Sequence, residues 1–258
     1  MIPKTIHYCW FGSGQMPSIA KKCILSWKKM LPEYSIKLWN EDSFDLSCNA
    51  YVQEAYQARK FAFVTDYVRL YALYNEGGIY MDTDVEVIKP LDAFLTLPAF
   101  SGFESDSGCI TGIMGSERHG AWVKDLLEEY SNRHFIKPDG SMDMMTNVLY
   151  TNNLMTRKGL LLNGQTQQFE NYVTIFSKEF FCPKSWDTDQ YIISDKTHTI
   201  HHFAASWWTR RQKWLRWTRN HFGKRAAKYL SYFWRPPKVL FPSIIVTMKK
   251  KLRHLLRG

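Results

Sequence analysis

Residues 61–87, FAFVTDYVRLYALYNEGGIYMDTDVEV, constrain the fold of this 258-residue chain more than any other stretch. Val64, Val68, Tyr71 and Leu73 recur near helical spacing, which predicts a helix from Phe61 to Asn75 with Asp66 and Arg69 on one face. Gly77 and Gly78 end it as a left-handed C-cap requires. Ile79, Tyr80 and Met81 then form a short strand that delivers Asp82-Thr83-Asp84 at its carboxyl end, and Pro90 blocks a long continuation. Open α/β sheets bind their ligands at that end of a strand. Two carboxylates at one exit are costly to hold together unless a positive charge lies between them or water reaches them. A divalent cation answers that need, and hard oxygen ligands select Mg²⁺ or Mn²⁺.

The opening of the chain supports a nucleotide-binding sheet. Thr5 to Phe11 is the expected first strand, closed by Gly12-Ser13-Gly14, and Pro17-Ser18 starts a helix over Ile19 to Met30. Pro32 marks its exit, and Tyr34 to Trp39 is a second strand, giving a β-α-β unit. Trp10 falls at the carboxyl end of the first strand, where an indole can stack on a nucleobase. Further on, the sequence predicts a helix over Tyr51 to Lys60, strands over Ala99 to Phe103 and Ile110 to Met114 around a loop at Glu104 to Gly108, and a helix over His119 to Asn132. A second Asp-x-Asp, Asp187-Thr188-Asp189, lacks the preceding strand and the glycine-stopped helix, so a solvated turn is expected there.

Four landmarks in order, IPKTIHYCWFG, SWKKMLPEYSIKLWNED, FVTDYVRLYALYNEGGIYMDTDVEV and IHHFAASWW, resemble the DXD-containing sugar transferases of glycosyltransferase family 32. The chain is more distantly similar to the catalytic domains of the clostridial glucosylating toxins. The resemblance covers residues 1–208 and implies a GT-A, Rossmann-like α/β domain, a nucleotide-sugar donor, Mn²⁺ or Mg²⁺ and retention of anomeric configuration. It implies that Asp82 and Asp84 serve the metal, that Asp66 and Arg69 bind donor-sugar hydroxyls, that Trp10 packs on uracil, and that Tyr80 is among the donor-binding residues. Adjacent histidines in a strand point to opposite faces, so one of His201 and His202 faces the cleft; the resemblance favours His201 as a metal ligand. It likewise matches Ser206 with Trp207 or Trp208 to a lid that donates hydrogen bonds to the leaving diphosphate. Where family members carry a Thr-Gly-Pro-like turn, this chain reads Met145-Thr146-Asn147-Val148.

Charge divides the chain. The net charge is +10, yet residues 207–258 hold 15 Lys and Arg and no acid, leaving the first 206 residues at −5. Trp208, Leu215, Phe222, Ala226, Tyr229, Leu230 and Phe233 fall on one helical face, opposite Arg210, Lys213, Lys224 and Lys228; Arg211 and Arg219 break the pattern. Pro236-Pro237 interrupts it, and Lys249 to Arg257 adds a second basic cluster. Residues 209–258 are therefore expected to lie on an anionic membrane surface, in preference to nucleic acid. The run Val239 to Met248 is about half the length that spans a bilayer. The five scattered cysteines lack a CxxC pair and suit reduced thiols in the cytosol. With no leader-like opening, the expected setting is the cytoplasmic face of a bacterial inner membrane. There, a lipid-linked or saccharide acceptor would be extended in capsule, O-antigen or exopolysaccharide synthesis. A DxD phosphohydrolase and a non-catalytic membrane or nucleic-acid adaptor are the rival readings. The phosphohydrolase class wants a longer strand before the first aspartate and Thr or Val where this chain has Glu86.

Overall fold

The computed structural model describes residues 1–105, 107–109, 111–185, 190–204 and 210–231. It divides into two compact units, Met1–Ala204 and Ala205–Gly258. In chain order the first unit contains β1 (Thr5–Cys9), α1 (Ser18–Met30), β2 (Ser35–Trp39), α2 (Ala50–Gln57), α3 (Phe61–Glu76), β3 (Gly78–Met81) and β4 (Val85–Val87). It continues through β5 (Ala99–Ser105), β6 (Gly108–Cys109), β7 (Ile113–Ser116), α4 (Ala121–Glu128), α5 (Asn147–Arg157), β8 (Gln167–Phe169), β9 (Val173–Phe176), α6 (Lys178–Phe181) and β10 (Thr199–His201).

The main sheet runs β2-β1-β3-β7-β5-β9-β8, with β6 paired to β5. β1 is parallel to both β2 and β3, which is the β-α-β opening the sequence predicts. β7 enters antiparallel between β3 and β5, and β9 is again parallel to β5. The architecture is thus the expected α/β class, with one reversed strand beside the strand that ends at Asp82.

Strand periodicity explains how the sheet separates two cores. Ile79 and Met81 join Ile2, Trp27, Phe94 and Phe181 on one face, while Tyr80 between them joins Val64, Val68 and Trp122 on the other. The helical spacing of α3 places Val64, Val68 and Leu73 fully in that second core. α3 is therefore fixed against the sheet beside the strand it feeds.

Several boundaries depart from expectation for local reasons. β1 stops at Cys9 rather than Phe11, and α2 spans Ala50–Gln57 rather than residues 51–60, capped by Asn49. Gly77 does adopt a positive φ of 68°, but its ψ of −170° is extended, not left-handed helical. Its missing Cβ matters sterically, since one would lie 2.8 Å from the Arg118 amide. The helix expected from His119 starts instead at Ala121, because His119 has φ 59°. The strand expected over 110–114 is displaced to Ile113–Ser116.

The described part of the second unit is α7 (Arg210–Ser231). Gly223 inside it has φ 83° and ψ 168°, so two helices meet at a kink. This corrects the single continuous apolar face expected from Trp208 to Phe233. Among the described residues no helix is long and apolar enough to cross a membrane. Asp187-Thr188-Asp189, Ser206, Trp207, Trp208, Phe233, Pro236-Pro237, Val239 to Met248 and the Lys249 to Arg257 cluster lie outside the described residues.

Candidate functional site

The site is assembled from the exits of β3 and β7 and the end of β10. Asp82 immediately follows β3, and its amide donates to the Gly112 carbonyl at 2.8 Å, extending the β3–β7 pairing by one residue. Asp84 precedes β4, and β4 pairs antiparallel with β10 so that Val85 faces His201. That register brings a side chain from residue 201 to an acid at residue 84. His201 Nε2 lies 3.3 Å from Asp84 Oδ1, and the Ala204 amide donates to Asp84 Oδ2 at 2.7 Å. His202 points the other way and pairs with Glu86 at 2.8 Å, so strand alternation separates the two histidines.

One ligand atom each from Asp82, Asp84 and His201 lies within 4.8 Å of the others, a spacing suited to one metal ion. Two further observations fit a cation. His201 Nδ1 is buried and makes no hydrogen bond to a protein oxygen or nitrogen, the Cys182 thiol being the one polar side chain besides Asp84 in contact with the ring among the described residues. Gly112 leaves open the space where its Cβ would stand 3.1 Å from that nitrogen and 3.4 Å from Asp82 Oδ2. Asp82 Oδ1 is already engaged, by the Tyr80 hydroxyl at 2.7 Å and by Arg69 Nη2 at 3.4 Å. Oδ2 is the oxygen turned toward the cradle.

Charge in the cradle follows from these neighbours. Burial raises the Asp84 carboxyl, but the His201 imidazolium and the Ala204 N–H outweigh it and leave it at about 2. Burial disfavours charge on His201, yet Asp84 prevails and lifts the imidazole well above its ordinary value. Glu104, at the end of β5, is pushed up to about 7 by burial against the pull of His201, with Asp82 adding to the rise.

Beside the cradle, Asp66 and Arg69 form the ion pair that their helical spacing predicts, at 3.1 Å. Its surroundings are not those of a solvated helical pair, for the two side chains are 11% and 6% exposed. Arg69 also donates to the carbonyls of Thr111 at 2.5 Å and Thr65 at 3.3 Å, and its guanidinium lies 4.5 Å from the centroid of the Tyr80 ring. Burial pushes the Asp66 carboxyl up to about 7, against Arg69 and the Asn147 backbone N–H that hydrogen-bonds to it. Both side chains line a void with room for about one water, together with Thr111, Tyr130, Asn147 and Tyr150.

Of the residues singled out from sequence, Asp66, Arg69, Tyr80, Asp82, Asp84 and His201 meet here. Tyr80 is 1% exposed, so it acts by fixing Asp82 from beneath Arg69. Trp10 sits just past β1 with its indole N–H donating to the Gly14 carbonyl at 2.5 Å, and among the described residues no contact joins it to the cradle. Gly112, Thr111, Asn147 and Glu104 were not singled out as site residues by the sequence. The Met145–Val148 departure was the one signal pointing to Asn147.

An acidic pair and a histidine thus meet in one cradle beside a buried Asp–Arg pair, at the exit of an α/β sheet. Residues 17–101 match the family model described as a glycosyltransferase sugar-binding region containing DXD motif, which bears out the resemblance read from the sequence. The match contains Asp66, Arg69, Tyr80, Asp82 and Asp84 but neither Trp10 nor His201.

Among curated proteins, the chain is 32% identical over 150 residues to inositol phosphoceramide mannosyltransferase 3 of Schizosaccharomyces pombe, covering 52% of this chain and 40% of that one. It is 28% identical over 146 residues to mannosyl phosphorylinositol ceramide synthase CSH1 of Saccharomyces cerevisiae, covering 53% and 38%. The chain therefore spans about two fifths of the length of these relatives. Solved structures include PaToxG glycosyltransferase, at TM-score 0.45 and 18% identity over 61% of this chain and 69% of that one. A second is a glycosyltransferase involved in glycosylation of the major capsid of PBCV-1, at TM-score 0.38 and 10% identity over 78% and 94%.

Proposed function

We propose that the chain transfers a hexosyl group from a nucleoside diphosphate sugar to a hydroxyl of a membrane-held acceptor, with retention at the anomeric carbon. The observation that carries this reading is the Asp82, Asp84 and His201 cradle next to the buried Asp66–Arg69 pair. The names of the fungal relatives support mannosyl as the group and a lipid as its carrier. An inositol lipid and a bacterial surface-polysaccharide precursor share what such a site needs, a hydroxyl on a head group held at a membrane. A UDP-sugar remains the donor expected through Trp10, and the cytoplasmic face of the inner membrane the expected setting. Contact of the basic extension, residues 209–258, with that membrane is part of the same proposal.

Asp82 through Oδ2, Asp84 and the imidazole of His201 would hold Mn²⁺ or Mg²⁺. A divalent ion there would neutralise charge growing on the departing diphosphate. Asp66 and Arg69, beside the cradle, orient donor-sugar hydroxyls. Tyr80 and Arg69 hold Asp82 in one rotamer, so the site is ordered before the donor arrives. Ser206 with Trp207 or Trp208 is assigned to close over the diphosphate and exclude water. The leaving phosphate takes the proton of the attacking hydroxyl on the front face. The phosphohydrolase reading is disfavoured because β3 is only four residues long and Glu86 stands two residues beyond Asp84, where that class wants a longer strand and Thr or Val.

The test is release of nucleoside diphosphate from a panel of UDP- and GDP-sugars with Mn²⁺. Asp84→Ala should reduce release by about a hundredfold or more, as loss of a developing-charge stabiliser does. Undiminished release in Asp84→Ala would overturn the role given to the cradle.

A further inference from the structure

The hairpin of β5 and β6 has one residue too many on its first strand. Phe103 pairs with Cys109 and Ser105 with Gly108, so Glu104 stands between two ladder positions with no residue opposite it. That is a β-bulge, which bends a strand and re-aims the extra side chain. The hairpin is held from outside, since the Cys109 amide donates to Asn152 Oδ1 at 2.9 Å and Asn152 Nδ2 donates to the Ser107 carbonyl at 3.3 Å. The fold therefore fixes where Glu104 stands.

Its direction follows from its neighbours. Phe100, earlier on β5, packs against Phe181 of α6 with ring centroids 5.5 Å apart, whereas Phe103 enters the core on the opposite face. Residue 104, next along the strand, returns to the α6 side. On that side the Phe181 carbonyl accepts from Thr199 Oγ1 at 2.8 Å, which ties α6 to the strand that carries His201. The Glu104 carboxylate interacts electrostatically with His201, with Asp82 and with the Cys182 thiol at the end of α6. It stands outside the group of three ligand atoms that converge within 4.8 Å, so it faces the cradle across a gap. Glu104 is only partly buried, and among the described residues it makes no hydrogen bond and no ion pair.

A carboxylate there repels the diphosphate that the cradle would hold, so it is no ligand for the leaving group. A neutral hydrogen-bond donor suits it, because an ionised carboxylate only accepts. We propose that Glu104 is a further catalytic residue of the transfer, its carboxylate accepting a hydrogen bond from the attacking hydroxyl and turning that oxygen toward the anomeric carbon. The inference rests on the transferase reading above and adds the group that receives the second substrate. The bond from the anomeric carbon to the departing phosphate oxygen breaks as the bond to the hydroxyl oxygen forms. The hydroxyl proton passes to the phosphate, and Glu104 neither gains nor loses one. Asp66 and Arg69 serve the donor sugar and Glu104 the acceptor, so separate groups hold the two substrates.

Water is the acceptor used in the test, because it presents an attacking O–H to any donor the site takes. Release of nucleoside diphosphate from UDP- and GDP-sugars with Mn²⁺ is followed at about pH 8, above the value of about 7 to which burial raises this carboxyl. The full chain is compared with Glu104→Gln, which keeps the size of the side chain, and Glu104→Asp, which keeps its charge. Glu104→Gln should lower kcat about tenfold or more, as loss of an orienting contact does. KM for the nucleotide sugar and Mn²⁺ affinity by isothermal titration should stay within about twofold. Glu104→Asp should recover part of the rate. Unchanged kcat in Glu104→Gln would overturn the proposal. So would a fall in Mn²⁺ affinity that matches the fall in rate, since the side chain would then act through the metal. A wild-type chain that releases no diphosphate from any donor removes the transferase reading and this inference with it, whereas wild-type release that Glu104→Gln leaves intact removes the role of Glu104 alone.

Discussion

Gly112 stands against His201 so closely that a methyl group in place of its hydrogen would lie 3.0 Å from the ring Cε1 and 3.1 Å from Nδ1. The same methyl would sit 3.4 Å from Asp82 Oδ2. The glycine thus keeps open a space bounded by two of the three prospective ligands. Gly112→Ala should fold, as the neighbours in contact are side chains able to shift by tenths of an ångström. It should weaken Mn²⁺ binding by about tenfold or more, a cost of about 1.4 kcal/mol. Isothermal titration with Mn²⁺ checks this, and wild-type affinity in the variant would count against the cradle.

The two members of the buried pair should respond differently to substitution. Arg69 satisfies two carbonyls, two carboxylates and an aromatic face, and a lysine cannot reproduce that fork. Arg69→Lys keeps the charge but strands buried acceptors, so it should cost about 1–3 kcal/mol in urea unfolding, the range for leaving a buried polar group unsatisfied.

Asp66 should be far more tolerant of Asn, because burial already pushes its carboxyl up to about 7. The folded value lies above the unfolded value of about 3.9, so the stability it confers is complete below about pH 4 and is lost as pH rises through about 7. Asp66→Asn should flatten that decline between about pH 4 and 8 and still reduce sugar transfer. An unchanged pH slope would show that Asp66 is ionised in the fold across that range.

Arg133→Gln should loosen the start of α5 without disturbing the sheet. The guanidinium is enclosed by the rings of Tyr150, Tyr51 and Tyr130, with centroids at 3.7, 4.4 and 4.9 Å, and is paired with Asp143. Its removal leaves Asp143 without its charge partner, so faster amide exchange is expected over residues 143–150. Exchange in β1, β3 and β7 should be unaltered, and hydrogen exchange read by mass spectrometry distinguishes the two regions.

What the sequence disclosed was what local periodicity carries. Three-residue spacing on α3 announced the Asp66–Arg69 pair, and the strand after two glycines announced where Asp82 and Asp84 would emerge. Gly112 and Thr111 reach the site through the antiparallel pairing of Met81 with Ile113, a register between segments 32 residues apart that no local pattern encodes. Arg133 was invisible for a similar reason. The helix expected to run to Asn132 ends at Glu128, and Tyr130 turns into the core against Tyr51 at 5.1 Å, leaving Arg133 to follow it inward. The choice between His201 and His202 was legible as strand alternation, but the facing element, β4, had to be seen to say which side mattered.

His7 supplies a test of the fold that is independent of any activity. Its Nε2 lies 2.8 Å from the Gly77 carbonyl, and the Trp39 indole donates to its Nδ1 at 3.1 Å. That pair of contacts requires the neutral ring protonated at Nε2, and burial lowers its pKa despite the opposing hydrogen bond to Gly77. Because the folded value is depressed, the unfolded chain takes up the proton first as pH falls below about 6.5. The stability His7 confers is therefore present above that pH and is lost on acidification toward the folded value. Protonation also sets two donors, the indole N–H and the new Nδ1–H, against each other. His7→Gln should be less stable than wild type at about pH 8 and should close part of that gap at about pH 5, measured as the difference in urea midpoints. A gap that is constant across this range would mean that His7 titrates alike in the folded and unfolded chain, and that the Trp39 contact imposes no tautomer.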